Sequence, residues 1–211
     1  MADGRRGPGL MVAAGVVIAM LAIVAAVSSL GRTAALPGVV RDPVPQVHGM
    51  TFLDHGDPQG AREVDLLPPE GHLTLLYFGY LSCPDICPMT MVDISRAQDR
   101  IGTELAARTQ VAFVTVDPAR DEPARLRDYL SLFFDGDFLA LTAPDERVLD
   151  RARDELGLRY EIEPHEPGAE SYDVAHSALI YVIDDRATVV RELPFGSTVE
   201  DIALVLEAAL T

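Results

Sequence analysis

The sequence predicts an α/β sandwich behind a single N-terminal transmembrane helix. Three observations carry this reading. An uncharged run from Gly7 to Gly31 contains an apolar stretch, Leu10 to Val27, interrupted only by small residues. From about residue 48, apolar strand-like runs alternate with helical periodicities in the order strand, helix, strand, helix, the pattern of βαβ units in a layered core. Two strands joined by a short polar turn, then one more helix, close the chain.

An apolar helix of about 18–20 residues spans a bilayer, whereas the apolar region of a cleaved secretory signal is about 7–15 residues long. Residues 1–9 therefore read as a cytoplasmic N-terminus and residues 10–30 as a transmembrane signal anchor, with cleavage near Val27-Ser28-Ser29 as the alternative. Arg5 and Arg6 precede the run, so the positive-inside rule keeps them cytoplasmic and puts everything after Arg32 on the outer side. The Ala, Val, Arg and Gly bias points to a bacterium. The expected location is its cell membrane, single-pass, with the C-terminal domain periplasmic. Residues 31–47 carry Pro37, Pro43 and Pro45 and read as an extended linker. Residues 48–211 form one domain, long enough for a real hydrophobic core. The chain has 33 acidic and 17 basic residues, all arginine, for a net charge of -16. Nucleic-acid binding needs cationic surface, so the charge argues against that class. An acidic surface serves solubility and can attract a cation or a cationic partner.

The elements follow in order. Met50 to Leu53 is a short strand, and residues 54–60 are a turn by composition. Leu73 to Tyr80 (LTLLYFGY) is a buried strand, apolar and aromatic without charge. A helix is predicted from Ile86 to Arg108, where Met91, Ile94, Ala97, Ile101 and Leu105 recur at helical spacing. Val111 to Val116 is a second buried strand, ended by Asp117-Pro118. Pro123 to Phe134 is an amphipathic helix, Phe138 to Leu141 a strand, and Pro144 opens a helix that Gly157 stops. Residues 161–171 are an acidic loop. Ala178 to Ile183 and Thr188 to Leu193 are strands joined by Asp184-Asp185-Arg186, a turn without glycine. Ser197 and Glu200 fit a capping box for the last helix.

The first βαβ unit ends its strand at Cys83-Pro-Asp-Ile-Cys87-Pro88, at the carboxyl end of a central strand, where open α/β sheets carry their sites. The two cysteines are the only ones in the chain. If both lay on a helix, their Cα atoms would be about 6.2 Å apart with the thiols on one face, close enough for a disulfide or for one shared ion. A helix amino terminus favours the thiolate. A structural disulfide remains an alternative, although so short a loop constrains little of the unfolded chain. Of the five histidines, His55 and His165 fall in polar loops, His48 and His72 flank strands, and His176 precedes an apolar strand. Two thiolates joined by one imidazole would make a soft set that selects Cu(I) or zinc. Structural zinc wants a fourth ligand, and Met89 and Met91 read as helix core. An open site suits a metal that is handed on. It also admits Cu(II), with solvent or the Asp85 carboxylate nearby.

Three segments make the chain resemble the SCO/SenC family of copper chaperones for cytochrome c oxidase: Tyr77-Phe-Gly-Tyr-Leu-Ser-Cys-Pro-Asp-Ile-Cys-Pro88, Val116-Asp-Pro-Ala-Arg-Asp121, and Asp173-Val-Ala-His-Ser177. The resemblance implies a thioredoxin-like fold over residues 48–211, a central mixed sheet flanked by helices. It implies one copper ion, Cu(I) or Cu(II), held by Cys83, Cys87 and His176, and delivery to the binuclear copper centre of oxidase subunit II. A copper donor and a thiol reductant are implied as further partners. Asp85 matches an aspartate that tunes or assists transfer, and Asp117 and Arg120 match a motif of architectural or partner-facing role. The rival is a thiol–disulfide oxidoreductase that uses Cys83 and Cys87 as its redox pair and reduces the cysteines of the copper site. Such proteins usually carry C-x-x-C and a facing proline. Here the spacing is C-x-x-x-C, and no proline occurs between Gly168 and Leu193.

Overall fold

The computed structural model describes Met20 and residues 35–57, 60–135, 138–169 and 171–211. The expected anchor, 10–30, lies outside the described residues apart from Met20. Among the described residues no helix is long and apolar enough to cross a membrane. The folded unit runs from Leu36 to Thr211.

Its elements in chain order are β1 (Thr51–Asp54), β2 (Arg62–Asp65), β3 (Leu73–Gly79), α1 (Ile86–Ile101), α2 (Thr103–Ala106), β4 (Thr109–Thr115), α3 (Pro123–Leu130), β5 (Phe138–Thr142), α4 (Glu146–Leu156), β6 (Tyr160–Ile162), β7 (Val174–His176), β8 (Leu179–Ile183), β9 (Val189–Pro194) and α5 (Val199–Leu210). A seven-stranded sheet has the order β2-β1-β5-β4-β3-β8-β9, and β6 and β7 form a separate pair. β3, β4 and β5 are parallel, while β1 and β8 join them antiparallel. The sheet is therefore mixed, as expected.

β3 lies in the interior of the sheet between β4 and β8, and all seven of its residues are buried. That is why it reads as an unbroken apolar run rather than an alternation. Leu73, Leu75 and Tyr77 pack with Met91 and Ile94 of α1, Leu126 and Leu130 of α3 and Leu206 of α5. Leu76 and Phe78 pack on the other face with Leu149, Ala152 and Leu156 of α4. Alternate residues of one strand thus build both halves of the core.

Several expectations are corrected. The helix predicted to reach Arg108 breaks at Gly102, whose φ of +82° leaves the helical region at no steric cost. The single turn of α2 follows. The last capping box belongs to Thr198 and Asp201 rather than Ser197 and Glu200. β2 and β6 were not foreseen, because REVD and YEI are too short and polar to read as strands. The glycine-free turn is held by Asp184, whose side chain accepts the Arg186 and Thr188 amides, with Ala187 at φ +55°. From Leu36 the expected linker belongs to the fold. Val39 exchanges both backbone hydrogen bonds with Glu192, and Val189 donates to Pro45 O. The Arg41 guanidinium also pairs with Glu192 at 2.6 Å.

Candidate metal centre

Beyond β3 the chain runs through Tyr80, Leu81 and Ser82 to Cys83, then turns into α1. Cys83 precedes the helix rather than lying on it. Its Sγ accepts the Cys87 N–H at 3.4 Å, one of the amides that a helix start leaves without an internal partner. Asp85 occupies the N-cap position and makes no side-chain cap hydrogen bond.

Cys87 is fully buried and Cys83 half-buried, and the two are not bridged. The third group comes from a different place. His176 is the last residue of β7, not the lead-in to β8, and its Nε2 lies 3.5 Å from Cys87 Sγ. Its Nδ1 is 3.2 Å from Ser177 O. A carbonyl only accepts, so Nδ1 carries the proton and Nε2 presents its lone pair toward the sulfurs. The rings of Tyr77 and Tyr80 stand perpendicular to it, with centroids 6.0 and 5.6 Å away.

One ligand atom each from Cys83, Cys87 and His176 lies within 4.8 Å of the others. Metal–sulfur and metal–nitrogen bonds of about 2.0–2.3 Å span pairs up to about 4.6 Å apart, so the triangle fits one ion with little adjustment. Asp85 is exposed and outside this group. His55 instead bonds Thr142 Oγ1 at 2.9 Å. His165 is not simply solvated, for its ring stacks on Tyr172 at 3.6 Å. Met91 is buried as expected, but Met89 is 53% exposed.

Burial overrides the helix terminus at Cys87. Desolvation pushes its thiol up to about 12, even though the Tyr80 backbone favours the thiolate. Burial also pushes the His176 imidazole below its ordinary range, which keeps it neutral. Without metal, the site is thus a buried thiol beside a neutral imidazole.

Asp117 and Arg120, flagged by the sequence, form a buried ion pair at 2.6 Å. Their partner Tyr172 was not foreseen. Its hydroxyl donates to Asp117 at 2.7 Å, and the guanidinium lies 3.5 Å over its ring. A tyrosine in a polar segment, one residue before the third matched segment, was the only available signal.

Close approach explains the glycine at position 79. A Cβ there would stand 3.0 Å from Cys87 Sγ and 2.8 Å from the Phe113 ring. We expect Gly79→Ala to displace that sulfur and to cost about 1–3 kcal/mol through overpacking. Thermal unfolding and metal titration check this; an unchanged variant in both would refute the close-contact argument.

The family described as SCO1/SenC matches residues 57–211. Protein sco1 of Schizosaccharomyces pombe is 31% identical over 160 residues, 75% of this chain and 59% of that protein. The chain spans a little over half the length of the first curated relatives it matches, 54% and 59%. Among solved structures, apo Sco1 from Thermus thermophilus superposes with a TM-score of 0.68 at 28% identity, covering 84% of this chain and 99% of that one. Bradyrhizobium japonicum ScoI with copper bound gives a TM-score of 0.62 at 28% identity, covering 82% and 99%. The mixed sheet with helices on both faces is thioredoxin-like, as these neighbours are. With the family match running from residue 57 to the last residue, the chain belongs to the SCO1/SenC family.

Proposed function

We propose that this chain is a membrane-anchored copper metallochaperone. It binds one copper ion through Cys83, Cys87 and His176 and delivers it to the binuclear copper centre of cytochrome c oxidase subunit II. The observation that carries the reading is the convergence of two sulfurs and one imidazole nitrogen within 4.8 Å. Thiolates select Cu(I), and the imidazole widens the set to Cu(II). The copper-bound relative supports copper over zinc. Residues 10–30 serve as the anchor, with the domain on the outer, periplasmic side. A copper donor and a thiol reductant act upstream.

Transfer is ligand exchange. Incoming cysteine thiolates of the target replace His176 first, then Cys83 and Cys87 in turn. Each incoming thiol gives up a proton; Cys83 and Cys87 each take one on leaving, and the proton released when the neutral His176 is displaced passes to solvent. His176 leaves first because it is a neutral ligand on a short strand pair outside the central sheet. Asp85, exposed beside the cysteines, assists at the surface.

The deciding experiment is copper stoichiometry on the reduced, anaerobic protein beside Cys83→Ala and His176→Ala. One tightly held copper, lost or weakened in both variants, supports the proposal; no copper in the unsubstituted chain rejects it. The pH dependence is a second check. Since Cys87 is held as a neutral thiol up to about 12, copper entry expels its proton. The neutral His176 adds no proton release near neutrality. Apparent affinity should therefore rise by at least about tenfold per pH unit from about pH 6 to about pH 8. A flat or falling profile in a competition titration contradicts this.

A second reading, thiol–disulfide exchange, draws on the two unbridged sulfurs in mutual reach. It is the weaker one, since the spacing is C-x-x-x-C rather than C-x-x-C and His176, not a proline, faces the two sulfurs.

A further inference from the structure

The three ligands stand on two separate pieces of the fold. Cys83 lies in the turn between β3 and α1 and Cys87 in the first turn of α1, both beside the central sheet. His176 ends β7, which pairs only with β6. Downstream, the chain enters β8 within three residues. Upstream, among the described residues, no sheet pairing ties β7 to the cysteine side, so side-chain packing such as that of Val174 and side-chain hydrogen bonds set that distance.

The segment from Asp117 to Asp121 touches both pieces. On the cysteine side, Asp121 Oδ2 accepts the Leu81 amide at 3.0 Å and the Thr115 hydroxyl at 2.6 Å. Leu81 stands two residues before Cys83. Thr115 Oγ1 in turn accepts the Asp117 amide at 2.9 Å. On the histidine side, everything converges on Tyr172, four residues before His176. Tyr172 gives its hydroxyl to Asp117 Oδ1 at 2.7 Å, and its carbonyl accepts Arg120 Nη1 at 2.9 Å. Arg120 Nε closes the triangle on Asp117 Oδ2 at 2.6 Å. The guanidinium and the His165 ring each lie about 3.5 Å from the Tyr172 ring, at 3.5 and 3.6 Å between centres. Both the side chain and the main chain of Tyr172 are thus pinned. Asp117 and Asp121 are buried, at 0% and 1% exposure, where hydrogen-bonded charges admit few alternative arrangements.

We propose that Asp117 and Arg120 are positioning residues that hold His176 against the cysteine pair, and that through His176 they set how strongly the site retains Cu(II) relative to Cu(I). This inference rests on the copper reading above. Cu(I) is satisfied by two thiolates, whereas Cu(II) favours tetragonal sets that include nitrogen and oxygen. A His176 that drifts away therefore costs Cu(II) more than Cu(I). Removal of an outer-shell partner typically weakens a metal site about 10–100-fold.

The test compares Arg120→Met, which keeps bulk and loses the donors, with Tyr172→Phe, which removes only the hydroxyl. Both are made in the full chain. Cu(II) and Cu(I) affinities are measured by competition, nitrogen coupling of bound Cu(II) by electron paramagnetic resonance, and amide exchange at Val174, Ala175 and His176 without metal. The expected result for Arg120→Met is Cu(II) affinity down about 10–100-fold, Cu(I) affinity nearly unchanged, weaker nitrogen coupling and faster exchange over β7. Tyr172→Phe should show the same pattern at smaller size. If Arg120→Met does not fold, Tyr172→Phe decides alone. Equal losses for both valences in a folded variant, or no change in the ratio of affinities, overturn the proposal. If the unsubstituted chain binds neither valence, the copper reading fails instead, and unaltered β7 exchange would still separately reject the positioning role.

Discussion

Replacing Cys87 by serine should abolish stable copper binding while leaving the fold intact. Cys87 is the innermost ligand, fully buried, with Tyr77 Oη 3.8 Å and His176 Nε2 3.5 Å from its sulfur. A serine hydroxyl is harder than a thiol and does not ionise at neutral pH, so it offers copper neither softness nor charge. Losing an outer-shell partner costs a metal site about 10–100-fold, and a lost ligand should exceed the upper figure. The hydroxyl can still bond to Tyr77 or His176, which limits the penalty of burying it. Competition with a Cu(I) chelator measures the loss, and circular dichroism checks the fold. His176→Ala should weaken Cu(I) binding too, but by less, because two thiolates remain. Tight one-to-one binding by Cys87→Ser would remove the sulfur pair from the site.

The largest expected effect on stability is at Asp117. Its carboxylate is wholly buried and accepts from Arg120, whose side chain is only 11% exposed, and from Tyr172. Asp117→Ala leaves the guanidinium buried without its countercharge and the tyrosine hydroxyl without its acceptor. Removing one partner of a buried pair costs about 3–5 kcal/mol. For a folded unit of this size each kcal/mol moves Tm by about 2–4 °C, so a drop on the order of 10 °C is expected in the metal-free protein. Adding Arg120→Met to Asp117→Ala should recover part of the loss, since the stranded charge is then gone. A Tm shift below about 2 °C for Asp117→Ala would mean that solvent already screens the pair.

The contrast between the two sites shows what the sequence made legible. β3, β4 and the buried stripe of α1 were readable because burial on both faces, or at helical spacing, leaves an apolar signature. The cysteines announced themselves by spacing and place. The histidine did not, because a residue on a three-residue strand has no periodicity of its own; a resemblance supplied it. The ionisation of Cys87 was misread for a different reason. Position at a helix start is visible in a sequence, whereas depth depends on what β3 and β7 bring against it. Met89 shows the same limit: helical spacing near a helix start could not say which side faces solvent. The Asp117, Arg120 and Tyr172 cluster lay across 55 residues of chain, and hydrogen bonds between distant polar residues leave no mark on local pattern.

The two borders of the seven-stranded sheet have a consequence for how this domain meets other proteins. On one side, the segment through Val39 and Pro45 already occupies the backbone groups of β9. On the other, β2 presents Arg62, Glu63 and Asp65 at an exposed edge, the kind of charged border that discourages further strands. Neither border invites a partner to extend the sheet as an added strand, the recognition mode common among open β-sheets. The loop at the carboxyl end of β3, where the sulfurs are, lies away from both borders. On the function proposed above, a partner that docks there meets Cys83, Cys87 and His176 directly, so recognition and access to the metal would share one surface.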